Sequence, residues 1–136
     1  MKIAVRYYSR GGNTKKLADA IARAAGVKAE TVDKPLTEPV DVLFLGSSVY
    51  AAGVDDSIKK FINELNPSMA KRIINFSTAA LLPSTYNQVS KLLSEKGMRI
   101  DPEEFHCRGS FAFMHKGHPD QKDLNDAEEF VKKVLS

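Results

Sequence analysis

The chain has 136 residues, of which 43% are hydrophobic and 27% charged, and its formal net charge is +3. That length suits one soluble domain burying about two-thirds of its surface on folding, and no window approaches the ~20 apolar residues of a membrane span. A single cysteine, Cys107, excludes an internal disulfide framework and agrees with a reducing cytoplasm; the small, interspersed basic surplus leaves no footprint for nucleic acid.

Lys2 to Tyr8 is a mostly apolar run, the kind a parallel sheet buries on both faces. Ser9-Arg10-Gly11-Gly12-Asn13-Thr14 follows, then a helical pattern from Asn13 to Ala25 with Leu17 and Ile21 inward and Gly26 as its stop. Lys28 to Val32 is a short edge strand. Pro35 and Pro39 break the stretch from 34 to 40 too often for a long helix. Asp41 to Ser47 is the clearest buried strand. Asp56 to Leu65 is a helix, with Ile58, Phe61, Ile62 and Leu65 at i, i+3, i+4 and i+7. Arg72 to Ser77 gives a fourth strand and Ser84 to Lys96 a third helix, stopped by Gly97. Glu104 to Phe113 gives a fifth strand, interrupted by Gly109 and Ser110, and Asp123 to Leu135 a last helix.

Strands alternating with helices imply an α/β three-layer sandwich around a five-stranded parallel sheet, spanning 1–136 as a single domain. The doubly wound order 2-1-3-4-5 suits five strands and places a ligand outside the carboxyl ends of the first and third. That order sets a test of length. The link from Asp33 to Asp41 must return along the whole sheet, and eight steps of about 3.3 Å reach roughly 26 Å. The crossover must therefore be short and extended.

Chemistry is expected after Tyr8, after Ser47 and after Ser77. A strand that ends in Gly, Ser, Asn and Thr and re-emerges as a helix offers unpaired backbone N–H groups at the positive end of a dipole. Ser9, Asn13 and Thr14 add polar side chains, and Gly11 and Gly12 permit close approach, so this segment is read as a phosphate cradle. The same residues also suit an ordinary turn with a helix cap. The cradle is neither a nucleoside-triphosphatase P-loop nor a dinucleotide fingerprint, and no cysteine lies in it. Gly46-Ser47-Ser48-Val49-Tyr50-Ala51 and Ser77-Thr78-Ala79-Ala80 leave room for a flat ligand with a phosphate tail, on which Tyr50 can stack. His106 and Cys107 are adjacent and would face opposite ways on a strand, so no Cys/His metal centre is expected.

These three segments resemble flavodoxins. Ser9 to Thr14 is similar to their FMN phosphate loop, Gly46 to Tyr50 to their second loop at the isoalloxazine ring, and Asp56-Ser57 to Phe61 to the helix start that follows. The resemblance covers essentially the whole chain, in the short form of the family. It implies a flavodoxin-like fold with FMN as cofactor. Ser9, Gly12, Asn13 and Thr14 would hold the phosphate. Ser48, Val49, Tyr50 and Ala51 would line the ring near N5, and Ser77, Thr78, Ala79 and Ala80 would bracket its pyrimidine side.

Three departures from the family pattern stand out. Arg10 and Gly11 replace a neutral residue and a threonine, so a phosphate hydrogen bond worth about 1–2 kcal/mol is lost. Arg10 either replaces it with a charge-assisted bond or points into solvent. Ala51 stands where many relatives have glycine, and a left-handed conformation costs alanine about 1 kcal/mol. The one-electron-reduced flavin is therefore expected to be less favoured. The chain is also basic where electron-carrying flavodoxins are typically acidic, with only Asp55 and Asp56 near the second loop.

A small electron carrier between redox-protein partners is the expected function. The alternatives are an FMN-dependent oxidoreductase reducing a quinone or similar planar acceptor, and a non-flavin binding module of the same architecture. For the oxidoreductase, Phe111 to Met114 with His115 and His118 would form a substrate lip, although the alternation of Phe111 and Phe113 suits core packing and His118 suits a turn with no positioned partner. Cys107 is expected to be a small buried hydrophobe.

Overall fold

The computed structural model describes residues 1–49, 53–79, 84–109 and 117–136. In chain order the elements are β1 (Ile3–Tyr7), α1 (Asn13–Ala25), β2 (Ala29–Thr31), β3 (Val40–Val49), α2 (Asp56–Glu64), a 3-10 turn at Pro67–Met69, β4 (Ala70–Ala79), α3 (Tyr86–Glu95), β5 (Glu104–Arg108) and α4 (Gln121–Leu135). The five strands form one sheet in the order β2-β1-β3-β4-β5 with every pairing parallel, as the sequence predicts.

The sheet separates two apolar cores. On one face Leu43, Leu45 and Ile73 meet Ile58 and Ile62 of α2 and Val89 and Leu93 of α3. On the other, Val5, Phe44, Ile74 and Phe76 meet Leu17 and Ile21 of α1 and Val131 of α4. Both faces of β3 are therefore filled, which is why its sequence is almost continuously apolar.

The link between β2 and β3 contains no helix, as the reach of eight residues requires. It is held by Arg6, a β1 residue only 9% exposed. The Arg6 Nε donates to the Lys34 carbonyl at 2.8 Å, and its guanidinium lies 3.2 Å from Glu30 Oε2. One buried cation thus does the fastening that a crossover helix does elsewhere in the sheet.

Several boundaries differ from those read in the sequence. β3 and β4 continue past Ser47 and Ser77, pairing Ser48 with Thr78 and Val49 with Ala79. Ladder bonds to a neighbouring strand override the weak strand preference of serine. α3 starts at Tyr86 rather than Ser84, because Ser84 Oγ accepts the Tyr86 N–H at 3.0 Å and so stands outside the helix. α4 starts earlier than Asp123, because the Asp120 carboxylate accepts the Asp123 N–H in a reciprocal capping box. β5 ends at Arg108; the remainder of the predicted strand, 110–113, lies outside the described residues.

Gly46 has a packing role that its sequence context does not reveal. A Cβ there would lie 2.1 Å from the ring of Phe76, its partner across the β3–β4 ladder. The missing side chain makes room for a fully buried aromatic ring.

Candidate functional site

The carboxyl ends of β1, β3 and β4 lie side by side, so the segments singled out in the sequence converge on one edge of the sheet. At the end of β1 the chain turns through Ser9 and Gly12. Gly12 adopts φ 93°, ψ −8°, a left-handed conformation suited to glycine. The Gly12 N–H donates to Ser9 Oγ at 3.0 Å, which leaves the serine hydroxyl hydrogen for another acceptor. Gly12 is the N-cap of α1, with no side-chain cap and no acidic residue in the first turn. By contrast, α2 and α4 are capped by Asp55 and Asp120. Early amides of α1 such as Thr14 and Lys15 have no carbonyl within the helix to bond.

Thr14 is 1% exposed, and its Oγ1 lies 2.8 Å from Thr78 Oγ1 at the end of β4. Only one of the two hydroxyls can donate across that contact. The acceptor of the pair keeps its own hydrogen, so the couple has one O–H left to offer a third group. Asn13 is buried beside it at 6% exposure. Gly109, just past β5, closes the same corner: a Cβ there would lie 3.1 Å from Thr78 Cβ and 3.2 Å from Asn13 Nδ2. The sequence signalled Gly109 only as an interruption of a strand; its close approach depends on three-dimensional contacts.

Strand alternation divides the remaining candidates. Ser48 and Thr78 are ladder partners on the α1 side of the sheet, while Ser47 and Ser77 are ladder partners on the α3 side. All four are buried. The hydroxyls of Ser47 and Ser77 bond to the segment that starts α3: Ser47 Oγ to Thr85 Oγ1 at 2.9 Å, and Ser77 Oγ to the Thr85 N–H at 3.2 Å. Tyr50, Ala51 and Ala80 lie outside the described residues, as do Phe111, Phe113, Met114 and His115. Arg10 and Gly11 are exposed at the tip of the first turn, and the Arg10 charge acts on Asp55. The Ser57 N–H is the main cause holding the Asp55 carboxyl below its usual range.

Two further groups are settled by their surroundings. Cys107 is buried, and burial pushes its thiol up to about 12, which makes it an inert core residue and no nucleophile. His118 has the positioned partner that its sequence context did not provide: its Nδ1 is 2.7 Å from Asp123 Oδ2. That hydrogen bond raises the pKa of His118. His118, Asp120 and Asp123 bring ligand atoms within 4.8 Å of one another. The two carboxylates are engaged in capping α4, at the positive end of its dipole, where a cation is disfavoured.

A groove of about 870 Å³ runs beside the first turn, lined by Tyr8, Ser9, Leu36, Phe61, Leu65 and Met69 among others. It borders none of Ser47, Ser77 or Thr78 and lies where the helix-free crossover leaves the sheet thinly covered. It shares Ser9, Gly12 and Lys15 with the first turn and so adjoins the candidate site on its β2 side.

Comparison with known proteins gives this arrangement its family. A protein of Methanocaldococcus jannaschii described as uncharacterized is 31% identical, with 99% of each chain aligned. A flavodoxin from the domain Archaea superposes over the whole of both chains with a TM-score of 0.78 and 22% identity. Oxidised flavodoxin 2 from Bacillus cereus covers 99% of this chain and 98% of its own, with a TM-score of 0.73 and 17% identity. The family model of the Flavodoxin domain matches residues 4–116. The chain accordingly belongs to the flavodoxin family, the flavin-binding proteins of electron transfer.

Proposed function

We propose that the chain is an FMN-dependent electron carrier that serves redox-protein partners in the cytoplasm. The observation that carries this reading is the uncapped N-terminus of α1. It combines a left-handed Gly12, no carboxylate in the first turn, and hydroxyls of Ser9 and Thr14–Thr78 with hydrogens to donate. That donor set fits a phosphate dianion, which accepts hydrogen bonds and is favoured at the positive end of a helix.

In this reading, Ser9, Gly12, Asn13 and Thr14 hold the FMN phosphate, and Arg10 adds positive charge at its rim. Ser48 and Thr78, near the ends of β3 and β4, are assigned to the ring, and Val49, Tyr50, Ala51, Ala79 and Ala80 are assigned to it by the resemblance to flavodoxins. When bound, FMN supplies the electron-accepting and electron-donating chemistry. The protein binds it, orients it at the sheet edge, and keeps water from the face packed on the strand ends. No helix among the described residues is long and apolar enough to cross a membrane.

The test is reconstitution. The purified protein mixed with FMN should turn yellow, quench FMN fluorescence with one-to-one stoichiometry, and then pass electrons between a reductase and an acceptor protein. Failure to bind FMN under saturating conditions would overturn the reading.

A further inference from the structure

Thr85 occupies the N-cap of α3, a position where threonine usually accepts a hydrogen bond from its own helix, yet it makes no such bond. Its hydroxyl is turned into the sheet instead. Thr85 Oγ1 accepts from Ser47 Oγ at 2.9 Å and from Asn75 Nδ2 at 3.1 Å, and its own hydrogen points to Asn75 Oδ1 at 3.5 Å. The Thr85 N–H donates to Ser77 Oγ, which in turn donates to Ser84 Oγ at 3.4 Å. Ser84 hands the chain of bonds to Glu104 Oε2 on β5 at 2.9 Å. Thr85, Asn75 and Ser77 are 0% exposed and Ser47 is 1% exposed.

One fully buried hydroxyl therefore joins β3, β4 and the start of α3. Breaking any arm leaves a buried polar group unpaired, so the unit resists distortion. These strands carry the chain into both ring-facing segments of the site.

We propose that Thr85 is a positioning residue of the flavin site: it fixes the ends of β3 and β4 and the start of α3 as one unit. This rests on the proposed function, since it assigns a role in holding FMN. Ser47 and Ser77 then serve the site through Thr85. Because every bond of the unit lies within the protein, less ordering remains to be done on binding.

The test compares Thr85→Val, which keeps the shape but removes the hydroxyl, with Thr85→Ser, which keeps the hydroxyl. Thr85→Val should weaken FMN binding about tenfold and change the visible circular dichroism of the bound flavin. Thr85→Ser should restore both. Wild-type affinity and wild-type circular dichroism in Thr85→Val would overturn the proposal, whatever its melting temperature. If Thr85→Val does not fold, Ser47→Ala removes only the β3 arm and should weaken binding in the same direction; unchanged binding would again overturn it. If the unaltered protein takes up no FMN, it is the proposed function that falls. Positioning is then decided in the unloaded protein, by amide exchange at 77–79 and 84–86. Exchange about tenfold faster in Thr85→Val than in wild type supports it, and equal rates overturn it.

Discussion

The hydroxyls of Thr14 and Thr78 meet at 2.8 Å across 64 residues of sequence and tie the first turn of α1 to the end of β4. Removing either one deprives the site of a donor and leaves the other buried without its partner. Thr14→Val should weaken FMN binding by about 1–3 kcal/mol and lower the stability of the unloaded protein by a similar amount. Fluorescence titration and urea unfolding of the unloaded protein check the two effects separately.

Gly46→Ala tests the close approach of β3 to the Phe76 ring. The added Cβ would lie 2.1 Å from a ring that is fully buried, so strand or ring must shift. Overpacking of this kind costs about 1–3 kcal/mol. Urea unfolding should show a lower midpoint, and adding Phe76→Leu should recover part of the loss.

His118 gives a signature near neutral pH. The Asp123 hydrogen bond raises its folded-state pKa above the ordinary 6.5, and only slight burial opposes the rise. A raised pKa means that the contribution is complete below the unfolded value and is lost as pH rises through the folded one. The stability advantage of wild type over His118→Asn should therefore be complete below the ordinary 6.5 and fall as pH rises above it. A proton NMR titration of the imidazole should give a pKa above 6.5.

Asp101 gives the opposite signature in acid. Burial alone would raise its pKa, but the Arg72 Nε at 2.8 Å and the Glu103 N–H together hold it below the ordinary value. Its contribution is present above the unfolded pKa and is lost as pH falls through the folded one. Asp101→Asn should flatten the loss of stability below about pH 4, measured by urea unfolding across that range.

Strand order, helix faces and the first turn were legible in the sequence because each rests on local pattern. Apolar runs, a period of four, and Gly12 before Asn13 all act within a few residues. The bounds of β3 and β4 were not legible, since Ser48 and Thr78 become strand only by pairing with each other. Thr85 was read as part of a helix start. Its true partners, Ser47 and Asn75, lie 38 and 10 residues away, and nothing local marks them. Ser47 and Ser77 were placed at the correct edge of the sheet, but which face they take follows only from the ladder register. His118 failed for a related reason: its partner Asp123 reaches it only because Asp120 starts α4 where it does.

The crossover pinned by Arg6 also fixes where the fold should give way first. Elsewhere each connection is packed down by a whole helix, whereas 32–39 is held by the Arg6 guanidinium, an exposed Lys2–Glu38 ion pair and a few apolar contacts. Brief opening of this margin should be possible while β3 and β4 stay closed. Arg6→Met should then make the stretch 32–38 susceptible to proteases under conditions in which the rest of the chain survives intact. Damage or cleavage would begin on the flank farthest from β4, so the seat at the ends of β3 and β4 would be the last part of the molecule to lose its shape.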